Sequence, residues 1–378
     1  METITTEAAV LTEVGKPLVV EEVSLSAPGP GEVLVRLVAS GVCHSDWNAV
    51  SGSSPHPLPV VLGHEGAGRV EAVGPGVSSV APGDPVVLSW LPTCGRCAAC
   101  QRGQLSLCEP ATKQMAAGTL PSGARHLLRH DGSTLSHYSY LSTFARHAVV
   151  DERSCVRLHP GANLEVAALV GCAVMTGIGA VLNRARVPAG ASVVVFGAGG
   201  VGLSVVMASH LVGATTIVAV DPVPTKRALA VELGATEALS GDPTELEERL
   251  AVLAPGGVDF AFEAAGLPTL VERAFRATRP GGMIVAVGVP PAGSTISLPG
   301  PELTRSERVV TGTFYGSARP HLDAPMLLAL YEAGKLPLGR LVSARYPLDG
   351  VNEAFAAMHG GEVARAVLQL EEVGRGGR

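Results

Sequence analysis

The chain has 378 residues, of which 47% are hydrophobic and 16% charged, and its formal net charge is −6. The length fits about two domains, and the apolar content argues against an intrinsically disordered chain. No basic run appears, so nucleic acid is not an expected partner.

The N-terminal segment is acidic and lacks the apolar core of a signal peptide. The uncharged stretches 166–183 and 187–220 are long enough for membrane spans, but both are interrupted by glycines, and a buried parallel sheet gives similar Val-rich strands. We therefore expect a cytoplasmic protein with no membrane partner.

Residues 1 to about 150 predict a β-rich region, because short Val-rich segments are bounded by Gly, Pro and Asp. From about 165 to 310, strand-like runs alternate with helical stretches, as where SVVVFGAG precedes VGLSVVMASHLVG. This alternation predicts repeated βαβ units and a parallel sheet, and further helical stretches follow near 324–334 and 350–359. The sequence therefore predicts an α/β protein.

Four of the seven cysteines follow the spacing C-x2-C-x2-C-x7-C; they are Cys94, Cys97, Cys100 and Cys108. Disulfides are not expected in a reducing compartment. Four thiolates on a short loop match a tetrahedral zinc site that is closed to substrate and therefore structural. An iron–sulfur cluster, which uses similar spacing, and free buried thiols are the alternatives.

A second set of possible ligands is scattered along the chain. Cys43 lies in GVCHSD, His64 in GHEGAG and Cys172 in an apolar stretch. A catalytic zinc needs three protein ligands and one open position, and two thiolates with one imidazole would suit it. Because these residues are far apart, spacing alone leaves the alternative that Cys172 is a core residue and His64 a hydrogen-bonded core histidine.

A glycine-rich turn follows a Val-rich strand and opens an apolar helix; its residues are Gly197, Gly199, Gly200, Val201 and Gly202. Such glycines allow a tight turn and let the backbone approach a pyrophosphate at the helix N-terminus. Asp221, 19 residues after the last glycine, would bond a ribose 2′-OH and repel a 2′-phosphate, which favours NAD over NADP. The alternative is a glycine-rich turn without a ligand.

The motifs GVCHSD, GHEGAG, the four-cysteine loop, GC, GAGGVG, AVD, VGVPP and GEVARAV occur in this order, and together they resemble the zinc-dependent medium-chain alcohol dehydrogenases. This family is itself a standard example of a Cys₂His catalytic zinc. The resemblance covers essentially the whole chain. It implies a GroES-like, β-rich catalytic domain (1–173 and 315–378) and a Rossmann NAD-binding domain with a doubly wound parallel sheet (174–314), with the substrate cleft at their junction.

The resemblance also implies two zinc ions per chain: a catalytic one bound by Cys43, His64 and Cys172, and a structural one in the four-cysteine loop. Asp46 resembles the carboxylate that orients the ligand imidazole. Glu65 resembles a glutamate that can approach the metal, and Ser45 the hydroxyl that accepts the alcohol's proton. Residues that resemble further cofactor contacts are His44 and Arg365 (pyrophosphate) and Thr176, Val287 and Val289 (nicotinamide). Lys226 is a further candidate from its position, since Lys226 and Arg227 lie just beyond Asp221 and could meet a 2′-phosphate if Asp221 were replaced.

Two departures from the family pattern matter. Asn48 stands where many members carry a histidine that relays the proton. The segment SGSSPHPLPVVLGHE lacks the acidic pair of the glutathione-dependent formaldehyde dehydrogenases, and Met115 and its neighbours lack their arginine. These absences argue against a glutathione adduct as substrate, though not against another thiol carrier.

We therefore predict an NAD- and zinc-dependent alcohol dehydrogenase that converts a small alcohol reversibly into an aldehyde or ketone. One alternative is an NAD-dependent dehydrogenase of a non-glutathione thiol–aldehyde adduct. The other is an inactive zinc-binding relative, which the loss of a ligand or of the glycines would favour; all are present. Segment 111–140 resembles that of the dimeric branch of the family, so a homodimer is expected.

Overall fold

The computed structural model describes residues 3–371, which form two compact units. The first unit contains residues 3–172, 319–329 and 342–371, and the second contains 173–318 and 330–341. The second unit thus differs from the predicted domain by beginning one residue earlier, by ending its first segment at 318 rather than 314, and by including 330–341. An ion pair between Arg340 and Glu232, 2.5 Å long, joins that last segment to the second unit.

The first unit is rich in short strands, with helices between and after them. Its strands up to residue 160 are β1 (Thr3–Leu11), β2 (Val19–Ser26), β3 (Glu32–Gly41), β4 (Val60–Val61), β5 (Glu65–Val73), β6 (Pro85–Leu88), β7 (Leu127–Leu128), β8 (Ser136–His137), β9 (His147–Asp151) and β10 (Cys155–Arg157). The helices of this stretch are α1 (His44–Val50), α2 (Ala98–Gln101) and α3 (Glu109–Gln114), and α4 (Leu164–Leu169) follows.

A continuous helical segment, Leu164–Ala185, leads from α4 into α5 (Met175–Gly179). Its turns Val170–Val174 and Ala180–Ala185 are π-helical, a rare conformation that is frequent at functional sites. By length and composition the segment could cross a membrane, but 89% of its most apolar window is buried within the protein. It is therefore well explained as a core helix.

The second unit alternates strands with helices, as the sequence predicts. In chain order the elements are β11 (Ser192–Phe196), α6 (Gly200–Leu211), β12 (Thr216–Val220), α7 (Pro224–Glu232), β13 (Glu237–Leu239), α8 (Pro243–Leu253), β14 (Val258–Glu263), α9 (Pro268–Ala277), β15 (Thr278–Ala286), α10 (Gly300–Ser306) and β16 (Val309–Gly312). The chain continues through α11 (Pro320–Glu332), β17 (Val342–Pro347), α12 (Val351–His359) and β18 (Arg365–Gln369).

The strands β11–β16 form one parallel sheet in the order β13-β12-β11-β14-β15-β16. This is the 3-2-1-4-5-6 order of a doubly wound dinucleotide-binding sheet. Helices cover both faces of such a sheet, which is why SVVVF and TIVAV are almost wholly apolar and buried. The core of this unit surrounds Phe196, Phe275 and Ile284.

The first unit has two sheets, ordered β7-β2-β1-β4-β8 and β10-β6-β5-β3-β18-β17, and β9 also pairs with β3. The C-terminal strand β18 pairs with β3, so the end of the described chain joins the N-terminal unit. The antiparallel pairing of β3 and β5 sets Gly41 opposite Glu65. The ends of these strands therefore carry the motifs GVCHSD and GHEGAG to one place.

Candidate functional site

The four-cysteine loop forms a compact cluster of thiols. The sulfur atoms of Cys94, Cys97, Cys100 and Cys108 all lie within 4.8 Å of one another. Backbone N–H groups point at them: Cys94 N donates to Cys108 Sγ over 3.2 Å, and Cys97 N donates to Cys94 Sγ over 3.3 Å. Hydrogen bonds from the backbone N–H groups of Cys100 and Glu109 lower the pKa of Cys97 to about 6. This donor set fits a tetrahedral zinc ion with no open position.

A second cluster gathers ligand atoms from separate elements. Cys43 precedes α1, His64 precedes β5, and Cys172 lies in the π-helical turn after α4. Their ligand atoms and a carboxylate oxygen of Glu65 lie within 4.8 Å of one another. Two thiol sulfurs and an imidazole nitrogen suit zinc, and three ligands leave a position for substrate.

Asp46 fixes the orientation of the His64 ring. Its fully buried carboxylate accepts a 2.9 Å hydrogen bond from His64 Nδ1 and a 3.1 Å bond from Cys43 N. Because Nδ1 donates to Asp46, Nε2 is the nitrogen that a metal would bind, displacing any proton held there. Burial by itself lowers the pKa of His64, but the charges of Asp46 and Cys43 outweigh it and raise that pKa well above its usual range.

The two thiols of this cluster act as a pair that shares a proton. A hydrogen bond from Cys172 lowers the pKa of Cys43 well below its usual range despite burial. The same contact, together with burial, raises the pKa of Cys172. A divalent cation can replace that proton and neutralise both thiolates, so the residues present fit a zinc ion.

Glu65 is fully buried and pairs with the guanidinium of Arg365, whose own exposure is 5%. Burial raises the pKa of Glu65 to about 7, although Arg365 opposes this shift. Its second oxygen, Oε1, is buried without a hydrogen-bond partner. A side chain at Gly41 would collide with the other oxygen, so the glycine at the end of β3 makes room for this carboxylate.

Ser45 lies in the first turn of α1, and its Oγ is 3.8 Å from Cys43 Sγ. Its backbone carbonyl accepts a 2.7 Å hydrogen bond from the hydroxyl of Tyr138. The ring of Tyr138 also stands edge-on to the ring of His64, with centroids 5.8 Å apart. Asn48 is half-buried on the same helix. The structure thus brings Ser45, Asp46 and the ligand residues together.

The glycine-rich turn has the geometry that dinucleotide binding requires. Gly197 has φ +94°, and Gly199 caps α6, with open space where a side chain would project. A side chain at Gly202 would collide with the carbonyl oxygen of Gly197, so only glycine allows the helix to approach the turn. Gly200 and Val201 form the first turn of α6, whose free N–H groups favour an anion.

Asp221 follows β12 and lies against this turn. Its carboxylate accepts 2.8 Å and 2.9 Å hydrogen bonds from the backbone N–H groups of Ala198 and Val223. The sequence predicts that no arginine pairs with the Asp221 carboxylate, although Lys226 and Arg227 lie just beyond it. In the structure the Arg227 guanidinium donates 2.8 Å hydrogen bonds to the backbone carbonyls of Asp221 and Pro222 and not to the carboxylate.

The remaining predicted cofactor residues lie at scattered positions. His44 is exposed at the start of α1, 5.9 Å between ring centroids from His359, and Arg365 is buried against Glu65. Thr176 and Lys226 are half-buried on α5 and α7, while Val287 is buried and Val289 is 76% exposed. The cofactor roles of these side chains stay predictions.

Sequence reasoning missed two features that organise these regions. One is Tyr138, because no sequence motif marks its contacts with Ser45 and His64. The other is Glu263, a buried residue at the end of β14 whose carboxylate accepts hydrogen bonds from the N–H groups of Ala265, Gly266 and Leu267. Its position at the carboxyl end of a strand beside β11 was a usable signal.

Comparisons with known proteins match two stretches of the chain to known domain families. Residues 29–160 match the model of the alcohol dehydrogenase GroES-like domain, and residues 200–332 match that of zinc-binding dehydrogenases. The chain is 40% identical to the NDMA-dependent alcohol dehydrogenase of Amycolatopsis methanolica, covering 96% of this chain and 98% of that protein. It is 38% identical to the S-(hydroxymethyl)glutathione dehydrogenase of Paracoccus denitrificans, covering 96% of this chain and 99% of that protein.

The crystal structure of benzyl alcohol dehydrogenase from Acinetobacter calcoaceticus is similar to this structure, with a TM-score of 0.92 and 32% sequence identity. The similarity covers 97% of this chain and 100% of that one.

Proposed function

Because the chain belongs to the zinc-dependent medium-chain alcohol dehydrogenase family, we propose that it oxidises a small alcohol reversibly to an aldehyde or ketone with NAD as hydride acceptor. The buried cluster of Cys43, His64 and Cys172, with Asp46 behind His64, is the observation that carries this proposal. Zinc supplies Lewis acidity that lowers the pKa of an alcohol, and the nicotinamide accepts the hydride.

The chain's own residues have separate tasks in this reaction. Asp46 holds the His64 imidazole with Nε2 available to the metal. Ser45 accepts the proton of the alcohol and releases its own, since a hydroxyl does not hold a second proton at neutral pH. Asn48 cannot titrate, so a further proton acceptor would have to come from solvent or from the bound cofactor. Glu65, with its unpartnered Oε1 beside the three ligand residues, would offer a further oxygen to a bound metal.

The choice of NAD depends on Asp221. Its buried carboxylate lies beside the glycine-rich turn, where the adenosine ribose of a dinucleotide is bound in this fold. A 2′-phosphate placed there would meet a negative charge and lose its hydration, whereas a 2′-OH can donate a hydrogen bond. The contacts of Asp221 with Ala198 and Val223 fix the carboxylate in that position.

The test is an assay of the purified zinc-loaded protein with NAD, in which NADH absorbance is followed over a panel of primary alcohols that includes benzyl alcohol. We expect turnover with at least one alcohol and none in Cys172→Ser, which keeps the glycine-rich turn. Parallel assays replace NAD by NADP or by NDMA. Equal rates with NAD and NADP would contradict the role of Asp221. Alcohol oxidation with NDMA but not with added NAD would contradict the proposal that NAD from solution accepts the hydride.

A thiol–aldehyde adduct is the second candidate substrate, because a relative with 38% identity is named for such an adduct of glutathione. The segment between α1 and β4 contains no Asp or Glu, so it offers no negative charge to pair with the ammonium group of glutathione. To separate these cases, the enzyme is assayed with formaldehyde mixed either with glutathione or with a neutral thiol. Faster turnover with the neutral thiol than with any alcohol would favour this second function.

We also propose a cytoplasmic homodimer that binds neither nucleic acid nor a membrane. The described residues contain seven cysteines, all without disulfides, and thiol clusters need a reducing compartment. The edge strand β16 and the exposed Leu303 and Val309 of the second unit offer an apolar edge for a second copy. Sedimentation at micromolar concentration tests the dimer, and a monomer would contradict it.

A further inference from the structure

The segment Tyr138–Ser142, between β8 and β9, has a strained backbone. Ser139, Tyr140 and Ser142 have φ of 48°, 63° and 56°, in the left-handed region that non-glycine residues seldom adopt. Such conformations persist only where the surroundings hold them, and they cluster at functional sites. The contacts that hold this segment therefore indicate what it does.

Two tyrosine hydroxyls anchor the segment. Tyr138 donates a 2.7 Å hydrogen bond to the backbone carbonyl of Ser45, and Tyr140 donates a 2.7 Å bond to the carbonyl of Ala111. Both tyrosines are buried, with exposures of 7% and 1%. Ala111 lies in α3, which begins directly after Cys108 of the four-cysteine loop. We call the four-cysteine loop together with α3 the four-cysteine lobe (94–114). The strained segment thus contacts this lobe through Ala111 and the first turn of α1, beside the second cluster, through Ser45.

The target of Tyr138 is a turn on which the chemistry depends. The start of α1 carries Cys43 as its cap, then Ser45, then Asp46, whose carboxylate binds both Cys43 N and His64. A hydrogen bond to the carbonyl of Ser45 restrains the peptide plane that joins Ser45 to Asp46. The edge-on contact of the Tyr138 ring with His64 constrains the same region from a second direction.

We propose that Tyr138 is a positioning residue that holds Ser45, the proton acceptor, beside the metal cluster, and that Tyr140 fixes Tyr138 to the four-cysteine lobe. The inference rests on the proposed function, because it concerns the proton that leaves the alcohol. It gives the four-cysteine lobe a role beyond folding, since the lobe supports the segment that positions Ser45.

Tyr138→Phe tests the proposal because it removes only the hydroxyl and leaves the ring against His64. We expect kcat for alcohol oxidation to fall about 3- to 10-fold, with the KM for NAD and the content of both zinc ions unchanged. Tyr346→Phe, the same change on β17, is the matched control and should behave as the wild type. A wild-type kcat in Tyr138→Phe would overturn the proposal.

A double-mutant cycle distinguishes positioning from simple packing. If Tyr138 acts through the hydroxyl of Ser45, Tyr138→Phe should change kcat by less than about 2-fold in a Ser45→Ala background. Tyr140→Phe should likewise add less than about 2-fold to Tyr138→Phe, because both substitutions release the same segment. Equal losses in the wild-type and Ser45→Ala backgrounds would overturn the proposal.

A crystal structure of Tyr138→Phe provides a measurement independent of activity. We expect Ser45 Oγ to be displaced, while the ring at position 138 stays in place. The side chains of the second cluster should also stay in place; they are Cys43, His64, Glu65 and Cys172. An unmoved Ser45 would overturn the inference even if the enzyme oxidises alcohols. A wild-type protein that oxidises no alcohol would instead overturn the proposed function, and the position of Ser45 in this variant would still test the hydrogen bond.

Discussion

The four-cysteine loop collects its ligands from 15 consecutive residues, whereas the buried cluster takes Cys43, His64 and Cys172 from positions spread over 130 residues. The loop cysteines are oriented by backbone N–H groups of the loop itself. The residues of the buried cluster contact other side chains that orient them: Asp46 and the ring of Tyr138 contact His64, and Arg365 pairs with Glu65. A local site can organise the chain around it, whereas a distributed site depends on a fold that already exists. The two clusters should therefore respond differently to the loss of one ligand.

The largest expected difference is between Cys97→Ser and Cys172→Ser, which make the same change in the two clusters. Cys97→Ser should yield little folded protein, because closing the four-thiolate site is part of folding the lobe. Cys172→Ser should fold, retain about one zinc ion per chain and lose its activity. Soluble yield, circular dichroism and elemental analysis measure this contrast. A stable, active Cys97→Ser enzyme would show that the loop is not a structural site.

Chelation should separate the two metals in time. The buried cluster keeps a position open to substrate and to a competing ligand, whereas four thiolates close the other site. We expect a chelator to abolish activity while circular dichroism is unchanged, and added zinc to restore activity. Release of both ions in one step together with unfolding would contradict the assignment of different roles.

Asp46→Asn tests the dependence of the distributed site on its supporting carboxylate. An amide can still accept the bond from Cys43 N, but its NH₂ group would donate to His64 Nδ1 and so place the ring proton on Nε2. Metal affinity should fall about 10- to 100-fold, which a competition titration with a chelator measures. Glu109→Gln, the same change beside the four-cysteine loop, is the control and should leave both metals bound. Equal affinity in Asp46→Asn would show that the carboxylate does not set the tautomer.

Asp221 lies in the second unit, so Asp221→Gly should leave both metal clusters unchanged. Removing the carboxylate should improve the use of NADP relative to NAD by about tenfold or more, equivalent to about 1.4 kcal/mol. Arg227 already lies beside this position, so Arg227→Ala in the Asp221→Gly background should reverse most of the gain. The measurement is kcat/KM for both cofactors with zinc content as control. Loss of zinc in Asp221→Gly would refute the independence of the units' sites.

Asn48→His has the smallest expected effect. A histidine near pKa 6.5 can complete a proton relay that Asn48 cannot. We expect kcat for oxidation near pH 7 to rise a few-fold at most, provided that proton release limits turnover. Profiles of kcat and kcat/KM against pH for both proteins, with a solvent isotope effect, measure it. An unchanged profile despite a clear isotope effect in the wild type would place position 48 outside the proton path.

What the sequence predicted follows the same division between local and distributed features. The spacing of Cys94 to Cys108 and the turn from Gly197 to Gly202 are short-range patterns, and each indicates its chemistry without knowledge of the fold. The residues of the second cluster were grouped with help from a family resemblance. The pairing of Glu65 with Arg365 joins residues 300 positions apart, and no short-range pattern marks it. The strain at Tyr140 depends on contacts that only the folded chain makes.

The glycine at position 41 has a consequence for how natural variants of this protein are interpreted. Gly41 and Glu65 face each other across β3 and β5, and any Cβ at 41 would occupy the volume of the carboxylate. The two positions are therefore expected to change together. A homologue that carries alanine or a larger residue opposite its glutamate must shift the strand, shorten the acid or lose it. A residue larger than glycine at position 41 thus indicates, from sequence alone, that no glutamate lies beside the metal cluster in the position seen here.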